Sequence, residues 1–558
     1  LTITLPSFGK DFQKSLDLKS ADRRLFAGFQ RKGGLPRFLG GFLDRVFDRD
    51  SGRLLDEPDV DAILAIRQLT LMFGKIEIPC SDARISQAMS DFVQCEQDVR
   101  SADARRTPMQ IEDFRRMSAL LFAKVFTKLD HEIYHHYTFP QHGPGATADK
   151  LMGNQKFEQK LWTERLDRIF PVGEYLLPNW RYYDQLEGID ILEPGAEIPV
   201  RVVSVPKTLK APRIIAIEPT AMQYAQQSLR VPLSESILRH DYLGRIIGLD
   251  DQVPNQELAA EGSRYGNLAT LDLSEASDRV SNQLVRTMLS NWPHLHEAVD
   301  ACRSRKAEVP GHGVIRLAKF ASMGSALTFP IEAMVFTTLI FLGIEQGLNR
   351  PLCQRDVKHL AGRVRVFGDD IIVPVDYVRP VIQSLESFGI KVNLAKSFWT
   401  GKFRESCGGD YYDGHDISIV RVRNKFPTSL QDATGVQSLV SLRNQLYFAG
   451  YWATCSWLDG KIKKMLKHFP VVLPSSPVLG RHSFLGYSTE REHKHLHSPL
   501  VKGWSVTSTI PKNSLDGSGA LLKFFLKRGG LPSVDKKHLE RSGRPYAVDI
   551  KLGWTSPF

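Results

Sequence analysis

Three aspartates in this chain could do chemistry together. Asp369 and Asp370 are adjacent in Val366-Phe-Gly-Asp-Asp370, and Asp272 stands in Thr270-Leu-Asp-Leu-Ser. Two like charges within a few ångströms raise each other's pKa unless something positive lies between them. Carboxylate oxygens are the donors that Mg2+ accepts. Three of them could hold two ions at the separation used for in-line phosphoryl displacement. The adjacent pair alone is weak evidence, because Asp250-Asp251 is a second such pair and reads as a loop.

The elements around the aspartates supply the rest. Asn267–Leu273 reads as a strand whose period of two places Leu268, Thr270 and Asp272 on one face. A polar turn follows, and Asp278 reads as the N-cap of a helix carrying Val280, Leu284 and Met288. Gly324 precedes a helical run from Leu327 to Gly343. Arg363–Phe367 and Ile371–Val375 read as a hairpin joined by Gly368-Asp369-Asp370, with Gly368 supplying the positive φ of a tight turn. A helix from Val378 to Phe388, ended by Gly389, leads into a strand at Ile390–Asn393. Strand, helix, hairpin, helix and strand in that order predict an α+β sheet with helices on one face. With the first strand beside the hairpin, the three aspartates converge at one edge.

The chain has 558 residues, 42% hydrophobic and 24% charged, which excludes a disulfide mini-scaffold, a collagen-like chain and a mostly disordered one. Its net charge of +11 suggests a polyanionic partner. Residues 421–558 carry 21 Lys+Arg and 8 Asp+Glu, a net of +13, so residues 1–420 sum to −2. The basic excess belongs to the C-terminal quarter. The six cysteines show no metal-ligand spacing and read as reduced thiols. The alternating His493, His495 and His497 read as plain surface. No signal-like segment opens the chain, whose first residue is Leu1, and the longest apolar run, Ala333–Gly343, is too short to span a bilayer. Residues 1–135 read as mainly helical, with Asp59–Phe73 amphipathic, and the turn-rich segment Phe139–Thr147 reads as a break between lobes.

Taken in order, these stretches resemble the motifs of viral RNA-dependent RNA polymerases. Thr270-Leu-Asp272-Leu-Ser-Glu-Ala-Ser-Asp278 is similar to motif A, and Ser322-Met-Gly324-Ser-Ala-Leu-Thr328-Phe to motif B. Val366-Phe-Gly-Asp-Asp370 is similar to motif C, Asn393-Leu-Ala-Lys396 to motif D, and Phe403-Arg-Glu-Ser-Cys-Gly408 with Tyr411-Tyr412 to motif E. Upstream, Val205-Pro-Lys207-Thr-Leu-Lys210-Ala-Pro-Arg213-Ile-Ile-Ala-Ile-Glu218-Pro219 resembles the basic motif F. The wording is that of the replicases of single-stranded RNA bacteriophages, the leviviruses of Qβ type, over roughly residues 200–425. Two departures stand out. Phe367 replaces the usual Tyr of motif C, and Glu332 stands four residues after Thr328, where many RNA polymerases place Asn.

The resemblance implies a right-hand polymerase. Residues 1–140 would be a helical N-terminal region bridging fingers and thumb, and 141–265 fingers with motif F. Residues 266–425 would be the palm, and 426–558 a basic thumb. It implies RNA-directed RNA synthesis from NTPs with two Mg2+ ions, Mn2+ or Ca2+ being able to substitute in binding. Asp272 and Asp369 would be the principal ligands, the Leu273 carbonyl a further one and Asp370 a supporting one. Lys207, Lys210 and Arg213 would meet the incoming triphosphate. Lys396 would protonate the leaving pyrophosphate. Asp278, Ser322, Gly324 and Thr328 would surround the ribose, where a 2′-OH tells RNA from DNA precursors.

In the thumb, Lys461, Lys463, Lys464, Lys467, Lys523, Lys527 and Arg528, interleaved with Trp504 and Trp554, would track an RNA backbone. The family also implies primer-independent initiation in a bacterial cytoplasm, with host elongation factors Tu and Ts and a ribosomal protein as partners and no membrane. A reverse transcriptase, or a non-catalytic RNA-binding viral protein with a decayed palm, are the alternatives. Gly368 and the motif F wording argue against the first, and the intact aspartates against the second.

Overall fold

Asp59 does what a carboxylate before an apolar run should do. It accepts the N–H groups of Asp61 and Ala62 and starts a helix, α2 (Val60–Leu71). In the computed structural model, which describes residues 3–208, 210–509, 513–527 and 547–558, the N-terminal region is helical as expected. α1 (Thr4–Leu18) precedes α2, and α3 (Asp82–Arg105) and α4 (Pro108–Tyr134) follow. A capping box between Thr107 and Gln110 opens α4. These helices do not share one core. Phe8 and Phe12 of α1 and Ile63 and Ile66 of α2 pack with Phe398, Phe403 and Tyr412. Met89 and Phe92 of α3 pack with Val200, Val202 and Ala216, while Phe114, Met117 and Leu121 of α4 enter the main core.

The basic stretch forms a hairpin, β1 (Val200–Val205) and β2 (Arg213–Ile217). After a helix over Thr220–Leu238 that enters the main core come α5 (Val253–Tyr265), β3 (Leu268–Ser274) and α6 (Asn282–Leu289). The short hairpin β4 (Lys306–Val309) and β5 (Gly313–Arg316) crosses back to extend the first sheet, in the order β2-β1-β4-β5. α7 (Thr328–Leu348) then leads to β6 (Arg365–Phe367), β7 (Asp370–Pro374), α8 (Val378–Ser387) and β8 (Lys391–Val392). The central sheet has the order β6-β7-β3-β8 with every neighbour antiparallel. β3 is buried on both faces except at its aspartate end, as a central strand must be. Residues of α6, α7 and α8 join it in the main core. The α+β class with helices packed on an antiparallel sheet is therefore what the chain adopts.

Three local expectations change and a fourth holds. The hairpin turn holds two residues, Gly368 and Asp369, so that Phe367 pairs with Asp370 and Asp370 already belongs to β7. Asp278 caps no helix: it lies in a short 3-10 turn, and Ser281 accepts the Gln283 N–H to start α6. The helix that contains the apolar run Ala333–Gly343 extends well beyond it. α7 has 21 residues and is long and apolar enough to cross a membrane by length and composition, but 89% of its most apolar window is buried inside the protein. The helix after the hairpin ends at Ser387, with Gly389 at φ +88° completing the stop.

Beyond the central sheet, β9 (Phe403–Ser406) and β10 (Gly409–Tyr412) form a hairpin. The C-terminal quarter builds a helix pair, α9 (Ala433–Phe448) and α10 (Trp452–Leu466). A long hairpin follows, β11 (Pro499–Thr509) and β12 (Ala547–Thr555), with α11 (Gly517–Lys527) between its strands. Lys461, Lys463, Lys464, Lys467 and Lys527 are exposed there, and Arg528 lies outside the described residues. Lys523 corrects the expectation of an RNA-tracking lysine. It is buried, donates to Asn154 Oδ1 at 2.8 Å and lies near the Phe157 ring. Trp504 is half-buried, its Nε1–H donating to the Leu466 carbonyl at 2.8 Å, whereas Trp554 is exposed under Arg491. His493 accepts the N–H groups of His495 and Leu496 within a turn.

Candidate active site

Strand register sets the site. Asp370 on β7 stands directly across from Asp272 on β3, so two carboxylates share one face of neighbouring strands. Asp369 sits at the exposed tip of the hairpin. Gly368 takes φ +59°, and a Cβ there would lie 2.7 Å from Phe329 Cε2, so glycine alone lets the tip close down on α7.

A cavity of about 490 Å³ opens at this edge, lined by Asp272, Leu273, Asp278, Glu332, Asp369, Asn393 and Lys396 from the central sheet and its connections. Lys207 and Arg213 reach it from the β1–β2 hairpin. Lys210, in the same loop, is exposed and is not among its lining. Asn393 Nδ2–H donates to Asp272 Oδ2 at 2.9 Å, and the Lys396 ammonium stands 3.2 Å from the same oxygen. Ser397 Oγ accepts the Asp272 N–H at 3.1 Å, which locks the segment 393–397 to β3.

On the other side of the cavity, Ser322 Oγ–H donates to Asp278 Oδ1 at 2.7 Å, and Thr328 Oγ1–H donates to the Ser322 carbonyl at 2.8 Å. Thr328 thus shapes the turn and is absent from the lining. Gly324 takes φ +136°, and a Cβ on it would lie 1.8 Å from the Ala216 carbonyl oxygen of β2. The loop that leads into α7 meets the β1–β2 sheet at that glycine.

The electrostatics follow from burial and crowding. Burial, with the charges of Asp369 and Asp272, raises the Asp370 carboxyl to about 7 against the opposing pull of the Cys407 backbone. Asp370 faces the β9–β10 turn and lies outside the cavity lining. Asp272 is raised by burial, against the pull of Lys396. Burial lowers the Lys396 ammonium, but Asp272, Glu405 and Asp369 outweigh it and hold it above its ordinary value. Lys207 is lowered by burial and by Arg213. Glu332 is buried with Oε2 lacking a partner, and its pKa rises well above the carboxylate range through burial, Asp369 and Asp278.

The donors at the sheet edge are hard oxygens without sulfur or imidazole, which suits a divalent cation such as Mg2+. Asp272 has a cationic neighbour in Lys396, whereas Asp370 is crowded by the charges of Asp369 and Asp272. Among the described residues, no three His, Cys, Asp or Glu side chains are gathered closely enough to hold an ion as they stand. The Lys396 ammonium occupies the Asp272 carboxylate instead.

Sequence reasoning missed part of the wall. Ala88, Asp91, Phe92 and Cys95 of α3 line the cavity. Their spacing marks a helix but carries no sign of its destination. Cys95 is an inert thiol, pushed up to about 12 by burial.

Residues 197–455 match the family described as RNA replicase, beta-chain. The RNA-directed RNA polymerase beta chain of Enterobacteria phage fr is 30% identical over 302 residues, 54% of this chain and 49% of that protein. The RNA-directed RNA polymerase subunit beta of Qbeta virus (strain MX1) is 34% identical over 57% of this chain and 48% of its own. The corresponding beta chain of Escherichia phage MS2 is 37% identical over 39% and 36%. The chain spans about half the length of the curated relatives it matches. Among solved structures, the BmCPV RNA-dependent RNA polymerase at elongation state aligns with a TM-score of 0.39 and 11% identity, over 64% of this chain and 34% of that one. Over residues 197–455, the chain is thus similar in sequence to the RNA replicase beta-chain family, as its ordered motifs announce.

Proposed function

We propose that this chain is an RNA-directed RNA polymerase that copies single-stranded RNA from NTPs, with the central sheet as palm. The observation that carries the reading is one cavity where carboxylates from β3 and the β6–β7 turn face Lys207, Arg213 and Lys396. Nucleotidyl transfer needs that juxtaposition, anionic ligands near the reacting phosphate and cations around the polyphosphate, because its catalysis is mostly positioning and electrostatics.

Asp272 and Asp369 would hold Mg2+ with the Leu273 carbonyl, and Asp370 would support them from beneath. The ions would supply charge neutralisation at the α-phosphate and at the attacking hydroxyl. Lys207 and Arg213 orient the triphosphate, with Lys210 farther out in the same loop. Lys396 stays protonated above its ordinary pKa and half exposed, which suits a donor to the leaving pyrophosphate. Asp278 lines the ribose side, and Ser322, buried and outside the cavity lining, holds its carboxylate from behind. Template and product run over the basic C-terminal helices, the thumb of this reading. By similarity alone, initiation without a primer and assembly with host elongation factors Tu and Ts and a ribosomal protein in the bacterial cytoplasm belong to the same proposal.

The test is NTP incorporation on an RNA template with Mg2+. Asp369→Ala is expected to lower incorporation by about 10³-fold or more while leaving the fold intact by circular dichroism. Equal activity in variant and wild type overturns the site, and preference for dNTPs over NTPs turns the reading to a reverse transcriptase.

A further inference from the structure

Lys319 belongs to none of the motif residues assigned above, yet it is fully buried beside the cavity. Its ammonium lies 2.9 Å from Asp278 Oδ1, 3.2 Å from Glu96 Oε1 and 3.5 Å from the centre of the Phe92 ring. Glu96 and Phe92 come from α3, and Glu96 also accepts the backbone N–H groups of Ala318 and Lys319 through Oε2. One helix of the N-terminal region therefore grips both the backbone and the side chain of this lysine.

A buried ion cluster is poor value as packing, since apolar residues of similar volume often serve as well or better. What it does here is geometric. Lys319 and Ser322 both bind Oδ1 of Asp278, from two directions. Oδ2 takes part in neither contact, and Asp278 lines the cavity. Burial would lower the ammonium, but Asp278 and Glu96 outweigh that and keep it charged.

We propose that Lys319 is a positioning residue for the nucleotide: clamped by Glu96 of α3, it fixes Asp278 so that the second carboxylate oxygen meets a ribose hydroxyl. This rests on the polymerase reading above. It makes α3 part of the machinery of substrate selection, through a contact with no counterpart in the local sequence.

The experiment measures steady-state incorporation of an NTP and of the matching 2′-dNTP by the full chain on an RNA template with Mg2+. It compares wild type, Lys319→Met and Lys319→Met/Glu96→Gln, with melting temperatures alongside. Lys319→Met is expected to lower the NTP-over-dNTP selectivity by about tenfold, the weight of one charge-assisted hydrogen bond. The loss should sit in the NTP KM, with kcat and the dNTP KM nearly unmoved. The double variant neutralises the more deeply buried of the two carboxylates that Lys319→Met strands, so its melting temperature should recover in large part while its selectivity stays low.

Selectivity that is never lost, or that returns with stability in the double variant, overturns the proposal and leaves a structural ion pair. The selectivity ratio does not depend on the fraction of protein folded, so partial misfolding cannot imitate either result. Absence of NTP incorporation in the wild type overturns the polymerase reading itself. Normal wild-type selectivity retained in both variants overturns only the positioning role.

Discussion

Glu218 shows how burial changes the meaning of a charged residue. It closes the basic stretch that begins at Lys207, yet its carboxyl is buried and accepts the Ser304 Oγ–H at 2.5 Å. Burial raises it from 4.5 to about 7, against the lowering pull of Ser304, Gln226 and Arg303. Between those two values the folded chain binds a proton that the unfolded chain has released. Stability is therefore fully present below about 4.5 and is lost as pH rises through about 7, by roughly 3 kcal/mol from this group alone. Glu218→Gln keeps the hydrogen-bonding shape and removes the titration. Denaturant unfolding from pH 5 to pH 8 should show a flatter stability curve in the variant, with the gain confined to the alkaline end. A parallel displacement of the two curves would mean that Glu218 does not titrate as its surroundings dictate.

Which parts of the site were legible depended on how far apart in the chain their partners lie. The β6–β7 hairpin was readable because Gly368 and flanking β-branched residues specify it within a dozen positions. Its neighbour β3 was readable as a strand, and its alignment with β7 followed once the acids had to converge. Asp278 misled because an aspartate before an apolar helix has two uses. The Lys319 ammonium and Ser322 hydroxyl claim its carboxylate, and Ser281 takes the cap. Lys523 misled for the opposite reason: a lysine in a basic tract turns inward to Asn154, whose position in the fold no local pattern reveals.

The docking of α1 was invisible too, since it depends on one carboxylate meeting a loop far along the chain. Asp17 Oδ1 accepts the N–H groups of Trp399, Thr400 and Gly401, and Lys14 donates to the Ser397 carbonyl at 3.1 Å. This clamp seats the segment that follows Lys396. Asp17→Ala orphans three backbone donors, that of Gly401 buried, and should cost about 1–3 kcal/mol. It should also speed amide exchange at residues 399–401. Unchanged exchange there would mean that the loop is held by its packing alone.

Under the proposed polymerase function the charge divides by task, between a slightly acidic body that holds the sheet-edge carboxylates and a C-terminal quarter of net +13. The structure distinguishes the lysines of that quarter that can meet a polyanion from those that cannot. Lys461, Lys463 and Lys464 lie exposed along α10, and Lys461 stands 5.5 Å from the ring of Trp457, itself 57% exposed and next to Phe426. Exposed cations beside aromatic faces suit a single strand, whose phosphates and bases they can engage together. Each phosphate neutralised on a single strand contributes about 0.7 to the slope of log affinity against log salt. Replacing the three lysines with alanine should therefore lower that slope by about 2, measured by fluorescence anisotropy with an unstructured RNA between 50 and 300 mM salt. Trp457→Ala should weaken binding by about 1–3 kcal/mol and leave the slope unchanged, because stacking releases no counterions. Lys523→Met should alter the melting temperature and not the slope. A triple variant with the wild-type slope would remove α10 from the path of the RNA, however basic its surface.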